Sequence, residues 1–239
     1  LFKSNYPLRF FISYFTSGLV ANDKNCLNKF ENDISEIQKK DVISSLKRGI
    51  SFYNEEKLEV YYFTLKKLLG NDNSFQQIKT KYDQIHQLKK GNPSPSFNYP
   101  DSSGKSISLA SLKGKLVYVD VWATWCGPCL AQIPYLKELE EKYRSKEVAF
   151  VSLSIDQLKD STKWKKMIVD KELEGIQIMA DNAWRSAFVK EYLIEGIPRF
   201  ILIDQSGNII SPNAPRPASY NEGNYELNDE IQILLDENL

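Results

Sequence analysis

The pattern of apolar and polar positions changes character once along the chain. Up to residue 90, apolar residues recur at helical spacing: Ile34, Ile37, Val42, Ile43 and Leu46, then Leu58, Tyr61, Tyr62, Leu65, Leu68 and Leu69, then Phe75, Ile78, Tyr82, Ile85 and Leu88. Only two glycines precede Gly70, and Pro7 is the one proline of this stretch, so little interrupts helix formation. The breaker Gly70-Asn71-Asp72-Asn73-Ser74 separates the last two patterns. Near the start, Leu8–Phe15 is the most apolar run, but Arg9, Ser13, Thr16 and Ser17 interrupt it well short of the ~20 residues a membrane-spanning helix needs. It is expected to be a core helix, and residues 1–90 to form a small helical bundle.

Gly91-Asn92-Pro93-Ser94-Pro95-Ser96 concentrates turn formers and marks a domain boundary, giving a helical segment 1–90 and a second domain 91–239. Beyond it, short β-rich runs alternate with helical stretches, the pattern of an α/β sheet. Strands are predicted at Leu116–Val121, Val148–Ile155, Ile176–Met179, Phe200–Asp204 and Ile209–Ile210, the last two flanking the hairpin signal Gln205-Ser206-Gly207-Asn208. Helices are predicted over Ala131–Tyr143, around Trp164–Val169 and over Trp184–Tyr192. A loop rich in proline (Pro212, Pro215, Pro217) then leads to a last helix around Leu227–Leu235.

Composition narrows the function without choosing it. The 239 residues carry 31 basic and 31 acidic side chains, which leaves no net field to draw nucleic acid or an anionic membrane. The charges are mildly segregated, 15 basic against 10 acidic in residues 1–90 and 16 against 21 beyond, read here as two solvated surfaces. The chain opens at Leu1, as a mature protein or an excised segment would, and an export signal or membrane anchor would lie outside it. Three cysteines are too few for a disulfide-stapled scaffold; two of them form the Cys126-Gly127-Pro128-Cys129 motif, which points to redox or metal chemistry.

At a strand-to-helix junction, a cysteine pair spaced i, i+3 puts the first sulfur at a helix N-terminus, where unpaired N–H groups and the macrodipole favour thiolate over thiol. The thiolate is the nucleophile of disulfide exchange, so Cys126 is the expected attacking group and Cys129, one turn further in, the buried resolving thiol. The fixed φ of Pro128 suits the first helical turn. Zinc sites use the same spacing but need four ligands, and the remaining candidates, Cys26 and His86, lie in the helical segment across the boundary. No metal and no cofactor is expected.

The run Val119-Asp120-Val121-Trp122-Ala123-Thr124-Trp125-Cys126-Gly127-Pro128-Cys129, with Gly196-Ile197-Pro198-Arg199-Phe200-Ile201-Leu202-Ile203-Asp204 downstream, resembles the thioredoxin superfamily. Ser96-Phe97 through Gly104-Lys105 and Leu109–Lys115 resemble, more narrowly, its TlpA/ResA-type branch of exported bacterial thiol–disulfide oxidoreductases. The resemblance covers residues 91–239; the helical segment is loosely similar to regions attached to such proteins in Gram-negative bacteria. It implies a thioredoxin-like fold, a central mixed sheet with helices on both faces. It also implies that Pro198 is the cis-proline facing the cysteine pair, which would leave the backbone of Ile197 to pair with an extended substrate. Asp120 falls where thioredoxins keep a buried carboxylate, fit to take the proton of Cys129 during resolution; the alternative is a strand-end aspartate facing solvent. Trp125, Gly127 and Pro128 would meet substrate beside Ile197, whereas Trp122 could serve core or substrate.

The chain departs from the family in two places. Ser152 stands where thioredoxins carry a lysine partner for the aspartate, and Pro100 where many ResA-like proteins have a glutamate. The neighbouring Asp101 could substitute, yet Ser102-Ser103-Gly104 reads equally well as an exposed turn. Thr124 invites comparison with peroxiredoxins, but the proline they need upstream is missing. Arg199 could recognise a substrate backbone or cap its strand. His86 is expected to be solvated, Cys26 a buried hydrophobe, and Tyr61-Tyr62-Phe63 core or inter-domain packing.

These readings converge on a thiol–disulfide oxidoreductase of the protein-disulfide reductase type. Its partners would be disulfide-containing or dithiol proteins and an upstream thiol electron donor, and the resemblance implies the periplasm or cell envelope. The competing reading is a partner-binding module whose thioredoxin-like surface docks proteins with little turnover.

Overall fold

The computed structural model describes residues 13–15, 17–19, 21, 23–33, 35–49, 55–70, 73–221 and 224–239. Two compact units divide the chain, the first ending at His86 and the second running Gln87–Leu239. Among the described residues no helix is long and apolar enough to cross a membrane.

The first unit contains α1 (Lys24–Asn32), α2 (Glu36–Gly49), α3 (Glu55–Leu69) and α4 (Asn73–Gln87). Asp23 caps α1, its Oδ1 accepting from the Asn25 and Cys26 N–H groups at 2.8 and 3.2 Å. Phe15, Cys26, Leu46, Leu58, Leu65 and Ile78 share one core. Helical spacing overreached at Ile37, which is exposed, and of Tyr61-Tyr62-Phe63 the first two are buried while Phe63 is exposed. At 100° per residue, Ile37 lies roughly 140° around α2 from the buried Val42, on its outer side. Residues 8–12 and Ile34 lie outside the described residues. His86 is not a solvated histidine. Its ring packs 4.2 Å from that of Tyr82, and its Nε2 is 2.9 Å from Glu59 Oε1, while the Tyr82 hydroxyl donates to Glu59 Oε2 at 2.6 Å.

The second unit opens with a hairpin, β1 (Asn98–Pro100) and β2 (Ser106–Ser108). A five-stranded mixed sheet follows, built from β3 (Leu116–Trp122), β4 (Val148–Ser154), β5 (Ile176–Met179), β6 (Arg199–Ile203) and β7 (Ile209–Ser211) in the order β5-β4-β3-β6-β7. β3, β4 and β5 are parallel, and β6 runs antiparallel to β3. All seven residues of β3 are buried, as befits a central strand covered on both faces. Val117, Val119 and Val121 join a core with Trp164 of α7 (Ser161–Asp170) and Phe188 of α8 (Ala187–Glu191). Leu116 and Tyr118 point the other way, into a core with Leu136 and Leu139 of α6 (Ile133–Lys142) and Ile231 and Leu235 of α9 (Asp229–Asp236). Helices therefore lie on both faces.

Three predicted elements need correction. The helix expected over Ala131–Tyr143 begins only at Ile133, after the short α5 (Gly127–Leu130), because Pro134 has no N–H to bond the Leu130 carbonyl. The helix expected over Trp184–Tyr192 is split at Ser186, whose extended backbone (φ −61°, ψ 151°) separates a 3-10 turn, Ala183–Arg185, from α8. The loop expected before the last helix contains a hairpin, β8 (Ala218–Asn221) and β9 (Asn224–Leu227), so Leu227 belongs to a strand. Its entry is fixed by Gln132, whose Oε1 accepts from the Ala218 N–H at 2.8 Å.

Candidate active site

The chain leaves β3 at Trp122, turns through Ala123-Thr124-Trp125 and enters α5 with Cys126 as its N-cap. Cys126 and Cys129 are joined by a disulfide, with Cα atoms 5.2 Å apart. The Cys129 N–H, which also donates to the Cys126 carbonyl at 3.1 Å, lies 3.2 Å from Cys126 Sγ, so a donor of the first helical turn already points at the first sulfur. A thiolate at Cys126 would meet the same donor and the positive end of the helix, the arrangement that favours charge on that sulfur. Cys126 is 5% exposed and Cys129 2%, and around them Gly127, Pro128 and Trp125, itself 55% exposed, form the outward surface. A Cβ on Gly127 would meet nothing within 4 Å, so the glycine leaves open space beside the sulfurs.

The turn is braced from beneath by a residue that sequence reading missed. Asp156, fully buried just after β4, accepts from the Thr124 N–H at 2.9 Å, the Thr124 hydroxyl at 2.8 Å and the Ser154 hydroxyl at 2.8 Å. Thr124 is thereby a structural clamp. Trp122 is buried and Trp125 is not, which separates their roles into core and surface. The Trp125 ring lies 6.5 Å from that of Trp184, a second exposed indole which its position in a predicted helix gave no reason to single out.

The Ile197–Pro198 peptide is cis. β6 pairs with β3 from Arg199 opposite Val121, so Ile197 and Pro198 stand just before that ladder, at the end of β3 from which the cysteine turn departs. The Arg199 guanidinium donates to the Pro212 carbonyl at 3.3 Å, a contact within the protein. Asp101 is occupied as well. Its Oδ1 accepts from the Ser103 N–H, the Ser103 hydroxyl and the Lys105 N–H at 2.8, 2.6 and 2.9 Å, and these bonds, that from the hydroxyl first, hold its carboxyl below the usual range. It is a turn residue and not the missing glutamate.

Asp120 is buried in the middle of the sheet, opposite Ser152 on β4 and Phe200 on β6. Burial, and then the nearby Glu140 carboxylate, push its pKa up to about 8. Glu140, on α6, is buried too and pushed up to about 7 by burial and by Glu174, against the pull of Lys137 and Arg144. Sequence reading did not single out Glu140. Among the described residues no group of three or more His, Cys, Asp or Glu side chains is placed to hold a metal.

A redox cysteine pair at a strand-to-helix junction of a mixed sheet, with a cis-proline at the neighbouring strand, defines the class of thiol–disulfide oxidoreductases of thioredoxin fold. The Redoxin family model matches residues 89–225, and the chain belongs to that family. Thiol-disulfide oxidoreductase ResA of Bacillus cereus (strain ATCC 10987 / NRS 248) is 30% identical over 143 residues, 60% of this chain and 80% of the relative. ResA of Bacillus thuringiensis subsp. konkukian is 32% identical over 129 residues, 54% of this chain and 72% of the relative. Among solved structures, the thioredoxin domain of a thiol-disulfide oxidoreductase from Bacteroides vulgatus is similar at a TM-score of 0.53 and 26% identity, covering 63% of this chain and 97% of that one.

Proposed function

We propose that this chain reduces disulfides in other proteins through Cys126 and Cys129. The observation that carries the reading is the sulfur of Cys126 at a helix start, facing the Cys129 N–H, with Cys129 buried behind it. In the reduced protein the Cys126 thiolate attacks a substrate disulfide. One sulfur of that disulfide joins Cys126 and the other leaves as a thiolate that takes up a proton. Cys129 then loses its proton to Asp120 and attacks Cys126 Sγ. The Cys126–Cys129 bond forms, the mixed disulfide breaks, and the substrate departs as a dithiol carrying the two electrons the protein has lost. An upstream thiol donor returns the chain to its reduced form.

Trp125, Gly127, Pro128 and Ile197 form the docking surface in this reading, supported by the exposure of the first three and by the place of Ile197 ahead of the β6 ladder. The two compact units support two domains, 1–90 helical and 91–239 redox-active. A periplasmic or envelope location rests on the ResA-type resemblance.

The test is reduction of insulin by the reduced full chain. Cys126→Ser abolishes it and Cys26→Ser, at a buried thiol of the other unit, leaves it intact. Equal activity of wild type and Cys126→Ser would instead favour the binding module. A reduction potential near the ~−270 mV of thioredoxin fits a reductase, one near ~−120 mV an oxidant. Cys129→Ala, which keeps the attacker and lacks the resolver, captures substrates from an envelope extract as complexes that dithiothreitol releases.

A further inference from the structure

Four buried polar atoms have no hydrogen-bond partner among the described residues and belong to side chains around one space: Asp120 Oδ1, Trp122 Nε1, Glu140 Oε1 and Gln177 Oε1. The space is a cavity of about 10 Å³ between the sheet and α6, lined also by Ser152 and Lys137. That is about room for one water, with as many polar partners as a buried water uses. Glu140 and Glu174 line this cavity and also an open groove of about 360 Å³ beside Arg144. The inner end of the space is therefore Asp120 and its outer end Glu140.

The local chain is shaped for this. Cys129, Ile133, Leu136 and Glu140 follow at intervals of four, three and four residues, and Ala131 and Gln132 between the two helices keep right-handed helical backbone. One helical face thus carries the resolving cysteine at one end and Glu140 at the other. Gly175, at φ +67°, leaves the Glu140 carboxyl its place, since a Cβ there would stand 2.7 Å from Oε1. The charged or titratable groups around the two carboxyls are Lys137 and Arg144 on the side of α6, Glu174 ahead of β5, and Tyr118 on β3.

We propose that Glu140 is the solvent-side half of a proton path, in which the proton given up by Cys129 passes to Asp120 and leaves through Glu140 into the groove beside Glu174 and Arg144. This rests on the reading of Asp120 as the acceptor for Cys129. Glu140 touches neither sulfur nor substrate, so it is a positioning residue. No electron moves along the path: one proton leaves the Cys129 thiol as its sulfur bonds Cys126, and one proton reaches solvent. Two carboxyls pushed up to about 8 and about 7 can each exchange a proton near neutral pH.

The test follows release of nitrothiobenzoate when the reduced full chain meets the small aromatic disulfide dithiobis(nitrobenzoate). The first phase reports attack by Cys126 and the second resolution by Cys129. Glu140→Gln leaves the first phase unchanged and slows the second about fivefold at pH 7, against about tenfold or more for Asp120→Asn. The second-phase pH profile, spread over two ionisations in wild type, narrows to one in Glu140→Gln, and Glu140→Asp recovers part of the breadth. If Glu140→Gln matches wild type in rate and profile while Asp120→Asn is slow, the path through Glu140 is overturned and Asp120 stands. If Asp120→Asn is also unchanged, the acceptor assignment falls and the path with it.

Discussion

The second unit contains two buried acidic regions that burial alone would not tell apart. Asp156, past the end of β4, is surrounded by donors, accepting three hydrogen bonds from Thr124 and Ser154. Asp120, in the middle of β3, has no partner for Oδ1 among the described residues and shares its cavity with a second buried acid, Glu140, that lacks one there at Oε1. A buried carboxyl with its hydrogen bonds complete acts as a fastener, because its oxygens and its neighbours' donors satisfy each other. One left incomplete is pushed towards its neutral form and can trade a proton at ordinary pH. The first region holds the cysteine turn in place, and the second is the one we propose to serve its chemistry.

That contrast is broken most severely at the fastener. Asp156→Ala strands three buried donors and is expected to destabilise the second unit by about 3 kcal/mol or more, read as a lower urea midpoint. The second region shows itself through pH. Asp120, with its pKa raised to about 8, keeps in the folded state a proton that the unfolded chain has already lost, so unfolding releases a proton across the interval from about pH 4 to about pH 8. Stability therefore falls as pH rises through that window, by up to about 1.4 kcal/mol per pH unit for this group, and Asp120→Asn flattens the slope. A series of urea titrations between pH 5 and 8 measures it, and equal slopes in both proteins would contradict the assignment. Smallest is Thr124→Val, which removes one of the three bonds and keeps the backbone one. It should cost about 1 kcal/mol with an unchanged m-value.

How much of this could be read from the chain follows from what periodicity records. The apolar run Leu116–Val121 leading into Cys126-Gly127-Pro128-Cys129 announces a buried strand and a helix start, and the structure has both. Ile176–Met179 lies between its predicted limits because its four residues are apolar or face the core. The β8–β9 hairpin was hidden because β9 is exposed along most of its length, so no alternation of apolar residues marks it. Glu140 sits in Lys137-Glu138-Leu139-Glu140-Glu141-Lys142, which reads as a solvated face; the one signal available was its phase, four residues after Leu136 and seven after Ile133. Asp156 carried no signal at all. It follows a strand as any turn aspartate does, and its partner Thr124 is 32 residues away in sequence.

Whether Asp120 is the acid that trades its proton is read directly by carboxyl-carbon NMR of the reduced full chain, labelled at aspartate. Titrated from pH 4 to 9, Asp120 is expected to change state near pH 8, and at lower pH once Glu140→Gln removes the neighbouring charge. A midpoint in the ordinary carboxylate range near pH 4, unmoved by Glu140→Gln, would contradict it.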